Sequence, residues 1–239
     1  MRVRSDRVAV VKELAPGLHR LSGFPPNGFN VYFLETDEGA VVIDTATRHA
    51  RRRILRQVAG RGLAAIFITH AHRDHAGAMH AVAVERGAPV WSSAQDADAL
   101  EGKAPVPTPN PDSFMDRLFS GWWKDRHPVA RRLSEGERIG GFEVIAFPGH
   151  TPGMIGLWRE SDRTVVCADT IRTMNVFTGI PQVGEMPSLF TCDGPESRRS
   201  IRKLGALEAR TVCPGHGRAL HGDEAVEKVR ALAASLPQA

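Results

Sequence analysis

Short apolar runs bounded by glycine, proline and polar turn residues alternate along this chain with longer stretches of helical character. Val8–Val11 and Leu18–Leu21 read as opening strands. Phe29–Glu35 and Ala40–Ile43 flank Thr36-Asp37-Glu38-Gly39, a hairpin signal with glycine at the turn. Thr47 caps a helix predicted to run to about Val58, with Gly60 past its end. Ala64–Thr69 is a buried strand, and a helix starts near Ala76. Pro89-Val90-Trp91 opens another strand, followed by a helix around Ala94–Leu100. Five strands are predicted next, at Val129–Leu133, Glu137–Ile139, Phe142–Phe147, Met154–Trp158 and Thr164–Ala168. A helix over Glu196–Leu207, a strand over Arg210–Cys213 and a helix over Asp223–Leu236 finish the chain. Strands, then strand–helix alternation, then both again: that order fits sheet packed on sheet with helices outside.

Residues 102–128 break the pattern. Pro105, Pro107, Pro109 and Pro111 remove backbone donors and fix φ, so regular structure is excluded there. Phe114, Met115, Leu118, Phe119, Trp122 and Trp123 follow, with Phe114, Leu118 and Trp122 at helical spacing. The stretch reads as an insertion, either a cross-over with its apolar face in the core or a lid over a site. Otherwise residues 1–239 are expected to form one domain.

Composition narrows the class. Hydrophobic residues are 42% and charged residues 24%, the balance of a soluble globular protein. The net charge of +4 is too mild to argue for nucleic acid. The arginines at 48, 51, 52, 53 and 56, and at 198, 199 and 202, read as solvated helix faces. Three cysteines, Cys167, Cys192 and Cys213, form no Cys-x-x-Cys spacing, which disfavours a disulfide framework. The N-terminus lacks the apolar core of a signal peptide, and no run reaches the ~18 apolar residues of a membrane span. The expectation is a cytoplasmic protein whose partner is a small-molecule substrate, not nucleic acid or membrane.

The chemistry concentrates after the buried strand, in Thr69-His70-Ala71-His72-Arg73-Asp74-His75. Three imidazoles and a carboxylate in six residues suit zinc, iron or manganese. Residues i and i+2 of an extended stretch project to one side, so His70 and His72 can share a cation. Asp74 and His75 lie past the turn and point elsewhere, which argues for two ions. His150 in Pro148-Gly149-His150-Thr151-Pro152-Gly153, Asp169 after Val165–Ala168, and His216 in Cys213-Pro214-Gly215-His216-Gly217 add three more donors. The Pro-Gly pairs turn the backbone after a strand so that each histidine reaches inward. A catalytic zinc takes three or four protein ligands and keeps a place for water, so seven donors serve two ions. Asp169 is the natural bridge, because a carboxylate can give one oxygen to each.

This set resembles the metallo-β-lactamase-fold hydrolases, from about Phe29 to Leu220. The resemblance implies an α/β fold, an αβ/βα sandwich of two mixed sheets with two divalent metal ions, zinc first among them, at one edge. It implies that His70, His72 and His150 hold the first ion, that Asp74, His75 and His216 hold the second, and that Asp169 bridges. Asp44, ending its strand before a helix, would orient a ligand histidine. Aspartate at the bridge resembles glyoxalase II enzymes and lactonases more than most true β-lactamases. Lactonases acting on acyl-homoserine lactones carry a tyrosine three residues after that aspartate, where this chain has Arg172.

The expected activity is hydrolysis of an ester-type carbonyl, a lactone or thioester, by a metal-bridging hydroxide, with Asp74 as the catalytic carboxylate. Arg172 would hold an anionic group of the substrate, and Trp122 and Trp123 its apolar part. Two alternatives use the same fold: an iron-dependent persulfide dioxygenase on His70, His150 and Asp169, and a phosphodiesterase or nuclease. Cys167 reads as a small buried thiol on the Asp169 side of its strand, and Trp91 and Trp158 as core.

Overall fold

A computed structural model of the chain describes residues 11–21, 28–111, 113 and 126–237. The first sheet contains β1 (Lys12–Ala15), β2 (Leu18–Arg20), β3 (Tyr32–Thr36), β4 (Gly39–Ile43), β5 (Leu63–Phe67), β6 (Val90–Ser93) and β7 (Val129–Leu133), in that spatial order. Strands β1 to β4 are antiparallel, and β4 to β7 pair parallel. The chain then forms β8 (Arg138–Ile139), β9 (Phe142–Ala146), β10 (Ile155–Arg159), β11 (Thr164–Ala168), β12 (Arg172–Met174), β13 (Pro181–Gly184), β14 (Thr211–Pro214) and β15 (Leu220–His221). The second sheet has the order β15-β14-β11-β10-β9-β8, with β11 and β14 parallel, while β12 and β13 make a separate hairpin. The helices are α1 (Arg51–Gln57), α2 (Arg73–Ala76), α3 (Met79–Arg86), α4 (Ala94–Glu101), α5 (Gly194–Ala206) and α6 (Gly222–Ser235).

Period-two patterning sorts the core into layers. Tyr32, Leu34, Val41, Ile43, Ala65 and Phe67 of the first sheet meet Phe142, Val144, Ile155, Leu157, Val166 and Cys213 of the second. Their alternates Phe33, Val42 and Ile66 face Ile54 of α1, Met79 and Val82 of α3 and Leu100 of α4. On the far side Val165, Cys167 and Val212 pack on Ile201 and Leu204 of α5 and Val229 of α6. Helix, sheet, sheet, helix is the αβ/βα sandwich expected. No helix among the described residues is long and apolar enough to cross a membrane.

Several boundaries differ from the sequence reading. Residues 8–10 lie outside the description, Val11 is in no strand, and β1 begins at Lys12. The helix expected near Ala76 starts at Arg73, so Asp74 and His75 are already helical. Thr47 makes no side-chain cap, and the segment opens as a 3-10 turn over Arg48–Ala50. Trp91 and Trp158 are half-buried, Trp91 beneath the Arg131 guanidinium at 5.1 Å. The β12–β13 hairpin and β15 had no strong apolar signal and were missed.

Leu157 lies between the sheets with no exposure. Leu157→Ala should lower unfolding free energy by about 2–5 kcal/mol. Denaturant titration measures this, and a loss under 1 kcal/mol (roughly a fivefold change in the folding equilibrium) would refute the inter-sheet assignment.

Candidate metal centre

His70, His150, Asp169 and His216 follow the C-terminal ends of strands at one edge of the sandwich, as does Asp44, while His72, Asp74 and His75 come at the start of α2. Asp44 follows β4, His70 follows β5, His150 follows β9, Asp169 follows β11 and His216 follows β14. Strands β4 and β5 are parallel, as are β11 and β14, so these ends share an edge. Three overlapping groups result among the described residues: His70, His72 and His150; His70, His75 and Asp169; Asp74, His75 and His216. Within each, one ligand atom per residue lies within 4.8 Å of the others. Asp169 stands between the sets, with Oδ2 3.4 Å from His150 Nε2 and 3.1 Å from His216 Nε2, and Oδ1 3.4 Å from His75 Nε2.

The outward ring nitrogens of His70, His72, His75 and His216 meet protein oxygens, while His150 Nδ1 is buried without a partner. His75 Nδ1 donates to Asp44 Oδ2 at 2.7 Å, and His216 Nδ1 donates to the Gly28 carbonyl at 2.6 Å. His72 Nε2 donates to the Pro107 carbonyl at 3.0 Å, and His70 Nδ1 lies 3.0 Å from Thr69 Oγ1. These partners set the tautomers and aim the other nitrogens inward. His70 Nε2, His75 Nε2 and Asp169 Oδ1 are buried with no hydrogen-bond partner, while His72 Nδ1 and His150 Nε2 converge to 2.9 Å. Buried polar atoms are normally satisfied, so converging orphaned donors of this chemistry fit divalent cations.

Local backbone explains the delivery. Ala168 adopts φ +46°, which breaks the alternation of β11 before Asp169. Cys167 therefore packs under α5, away from the side expected for it, and burial pushes its thiol pKa up. Gly149 has φ +124°, and a Cβ there would collide with the Ser197 backbone. Gly215 has another reason to be glycine: a Cβ would strike the Asp169 carboxylate and the His75 ring.

Two buried polar residues were not singled out from sequence. Asn30 Nδ2 donates to the carbonyls of Pro214 and Gly217, at 2.8 and 2.7 Å, clamping the His216 loop. Asp96 accepts from Ala71 N, Thr151 Oγ1 and Gly153 N. Ser93 caps α4 by accepting from Asp96 N, and Ser-x-x-Asp is the only sequence signal for it. A set of exposed apolar residues was also missed. Phe177, Ile180 and Leu189 are 68%, 63% and 62% exposed, and the Phe177 and Phe190 rings lie 6.1 Å apart. Cys192 N donates to the His150 carbonyl at 3.1 Å, so the segment that leaves Asp169 returns to His150.

Arg172 lies on β12, where its guanidinium donates to the carbonyls of Glu185 and Met174 and to Gln182 Oε1. These bonds, from Nε and Nη1, tie it to the hairpin. Trp122 and Trp123 fall outside the described residues. The described start of their segment does reach the donors, through Pro107 on His72.

The two halves differ in charge. Burial and then the neighbouring imidazoles of His75 and His72 push His70 well below the usual histidine range. Burial, followed by His72, takes His150 down to about 3. Burial also opposes protonation of His75 and His216, but carboxylates outweigh it. Asp169, Asp44 and Asp74 lift His75 well above its usual value, and Asp169 and Asp74 bring His216 up to about 10. Reciprocally, against the effect of burial, these imidazoles hold Asp74 and Asp169 well below the usual carboxylate range.

At pH 7 the metal-free protein thus carries protons on His75 and His216, which a cation must displace. Loading with Zn(2+) should release at least about one proton per chain, and affinity should fall as pH falls from about 10. Calorimetry in buffers of different ionisation heat measures the release. Proton-neutral binding would contradict this electrostatic picture.

The Metallo-beta-lactamase superfamily profile matches residues 25–216. Probable metallo-hydrolase YflN of Bacillus subtilis is 30% identical over 240 residues, covering 91% of this chain and 90% of that protein. Hydroxyacylglutathione hydrolase GloC of Haemophilus influenzae is 28% identical over 148 residues, or 57% of this chain and 63% of that one. The protein TTHA1623, solved in a di-iron-bound form, superposes with a TM-score of 0.59 at 28% identity, covering 81% of this chain and 89% of that chain. The match spans the strand ends from Asn30 to His216 that build this edge, and the chain belongs to the metallo-β-lactamase superfamily.

Proposed function

We propose that the protein hydrolyses an ester-type carbonyl bond, a lactone or a thioester, with two divalent ions, zinc first among the candidates. His70, His72 and His150 would hold one ion, Asp74, His75 and His216 the other, and Asp169 both. The observation that carries this reading is that a middle group, His70, His75 and Asp169, shares His70 with one flanking donor group and His75 with the other, and that its His70 Nε2, His75 Nε2 and Asp169 Oδ1 are buried with no hydrogen-bond partner. The di-iron form of TTHA1623 supports a pair of ions, and the relative described as a hydroxyacylglutathione hydrolase supports the thioester. Divalent ions bound there supply Lewis acidity and lower the pKa of water to about 7.

Asp74 is the donor carboxylate most open to solvent, its side chain 33% exposed against 2% for Asp169. Its Oδ2 faces His75 and His216, at 3.8 and 3.3 Å. The other oxygen is left to orient the attacking water and take its proton. Asp44 holds the His75 ring so that Nε2 points inward. The apolar substrate wall, expected at Trp122 and Trp123, which lie outside the described residues, is proposed here to include Phe177 and Phe190, exposed aromatics on the segment between Asp169 and the Cys192 amide that meets the His150 carbonyl.

Elemental analysis should approach two metals per chain, about 3.5–4 Å apart by X-ray absorption. Asp74→Ala should cut turnover by several orders of magnitude with the fold intact. Asp74→Asn should retain more metal yet stay slow, because an amide accepts no proton. Near-normal activity in either variant removes Asp74 from the mechanism, and a firm single iron per chain favours the dioxygenase.

Phe177→Ala and Phe190→Ala should raise KM several-fold for lactones or thioesters with long acyl chains, while short-chain substrates keep theirs. Equal effects on both substrate lengths would count against a wall on this segment.

A further inference from the structure

Asp96 has no exposure, and both of its oxygens face fixed donors from two different loops. Oδ2 accepts from Ala71 N at 2.8 Å, the amide between His70 and His72, and from Thr151 Oγ1 at 2.8 Å, beside His150. Oδ1 accepts from Gly153 N at 2.9 Å, three residues past His150. One carboxylate thus ties together the backbones that carry His70, His72 and His150. It makes none of the bonds to the Asp74, His75 and His216 side. Asp44, by contrast, touches both sides: it accepts from His75 Nδ1, and also from Thr69 N at 2.9 Å and Thr69 Oγ1, which meets His70 Nδ1.

We propose that Asp96 is the positioning residue of the His70–His72–His150 site, and that it sets the affinity of that site for its ion independently of the other. The inference rests on the two-ion reading above. A carboxylate is required, and an amide cannot substitute. Both oxygens face a backbone N–H, so asparagine in either orientation must turn its NH2 group against one of them. The resulting donor–donor contact would push apart the loops whose His72 Nδ1 and His150 Nε2 stand 2.9 Å from each other. The approach is close on the other side too, because a Cβ on Gly153 would collide with Asp96 Oδ1.

The test is titration of the metal-free full chain with Co(2+) and with (113)Cd(2+), following ligand-field absorption and the two cadmium resonances. Asp96→Asn should weaken one site by ~10–100-fold, the range for partners that orient metal ligands, and leave the second within about twofold. Asp44→Asn should weaken both sites, because the Asp44 carboxylate meets His75 and, through Thr69, His70. Thr151→Val, which removes a single bond to Asp96, should give a smaller loss at the same site and covers the case in which Asp96→Asn does not fold. Asp98 lies on the same helix and pairs with Arg132 at 2.7 Å, so Asp98→Asn should change neither site. Wild-type affinity at both sites in Asp96→Asn and Thr151→Val would overturn the proposal, as would equal weakening of both sites. A wild-type chain that binds one ion only would instead remove the two-ion reading beneath it.

Discussion

The Asp169 carboxylate is 1% exposed, faces the rings of His75, His150 and His216, and leaves Oδ1 without a hydrogen bond. A buried charge costs several kcal/mol unless positive charge is supplied close by. Here it comes from protons on His75 and His216, or from cations that replace them. The requirement propagates outward. Protonated or metal-bound rings must be held in one orientation, so Asp44 and the Gly28 carbonyl fix their far nitrogens. The chain also accepts strain to bring the carboxylate there. Ala168 at φ +46° occupies a region that costs about 1–3 kcal/mol for a residue with a side chain. Pairing of β11 on both edges and the Gly215 N–H on the Ala168 carbonyl over-determine that turn.

Sheet topology converts this local problem into a site. Two parallel pairs, β4 with β5 and β11 with β14, belong to different sheets, yet their C-terminal ends meet at one edge of the sandwich. The inter-sheet layer containing Phe67, Val166 and Cys213 holds those ends in register, because each is buried two to four residues before a donor. The same rigid layer explains why glycine stands at 215. Where two strand ends from one sheet crowd a carboxylate and an imidazole, there is no volume for a side chain.

Legibility in the sequence followed the kind of signal involved. Strands such as Val129–Leu133 and Thr164–Ala168 were read to the residue, because a fully apolar or alternating run has one comfortable burial. The donor residues were read because imidazoles and carboxylates at strand ends have few other uses. The β12–β13 hairpin was not legible. It holds Arg172, Asn175 and Gln182 and leaves Phe177 and Ile180 in solvent, so its residues follow no core pattern. Asp96 was hidden differently. It sits in a helix that reads as an ordinary capped segment, and only the tertiary approach of Ala71 and Gly153 gives its carboxylate three donors. Arg172 stands where lactonases acting on acyl-homoserine lactones carry a tyrosine, and its own contacts were not legible from that comparison. Its longer side chain folds back onto the hairpin's own carbonyls.

The two donor sets are therefore built on opposite electrostatic plans within one edge. His70 and His150 are neutral and poised to accept a cation without losing a proton, since burial and mutual repulsion have already removed it. His75 and His216 are protonated against carboxylates and must exchange protons for metal. Exposure differs along the same line. His72 and Asp74 are half-open while His70, His75, His150 and Asp169 are buried, and the Pro107 carbonyl covers the outer edge of His72. Among the described donors Asp74 is therefore the carboxylate that solvent reaches, and it stands directly against the imidazoles of His75 and His216, not those of His70 and His150.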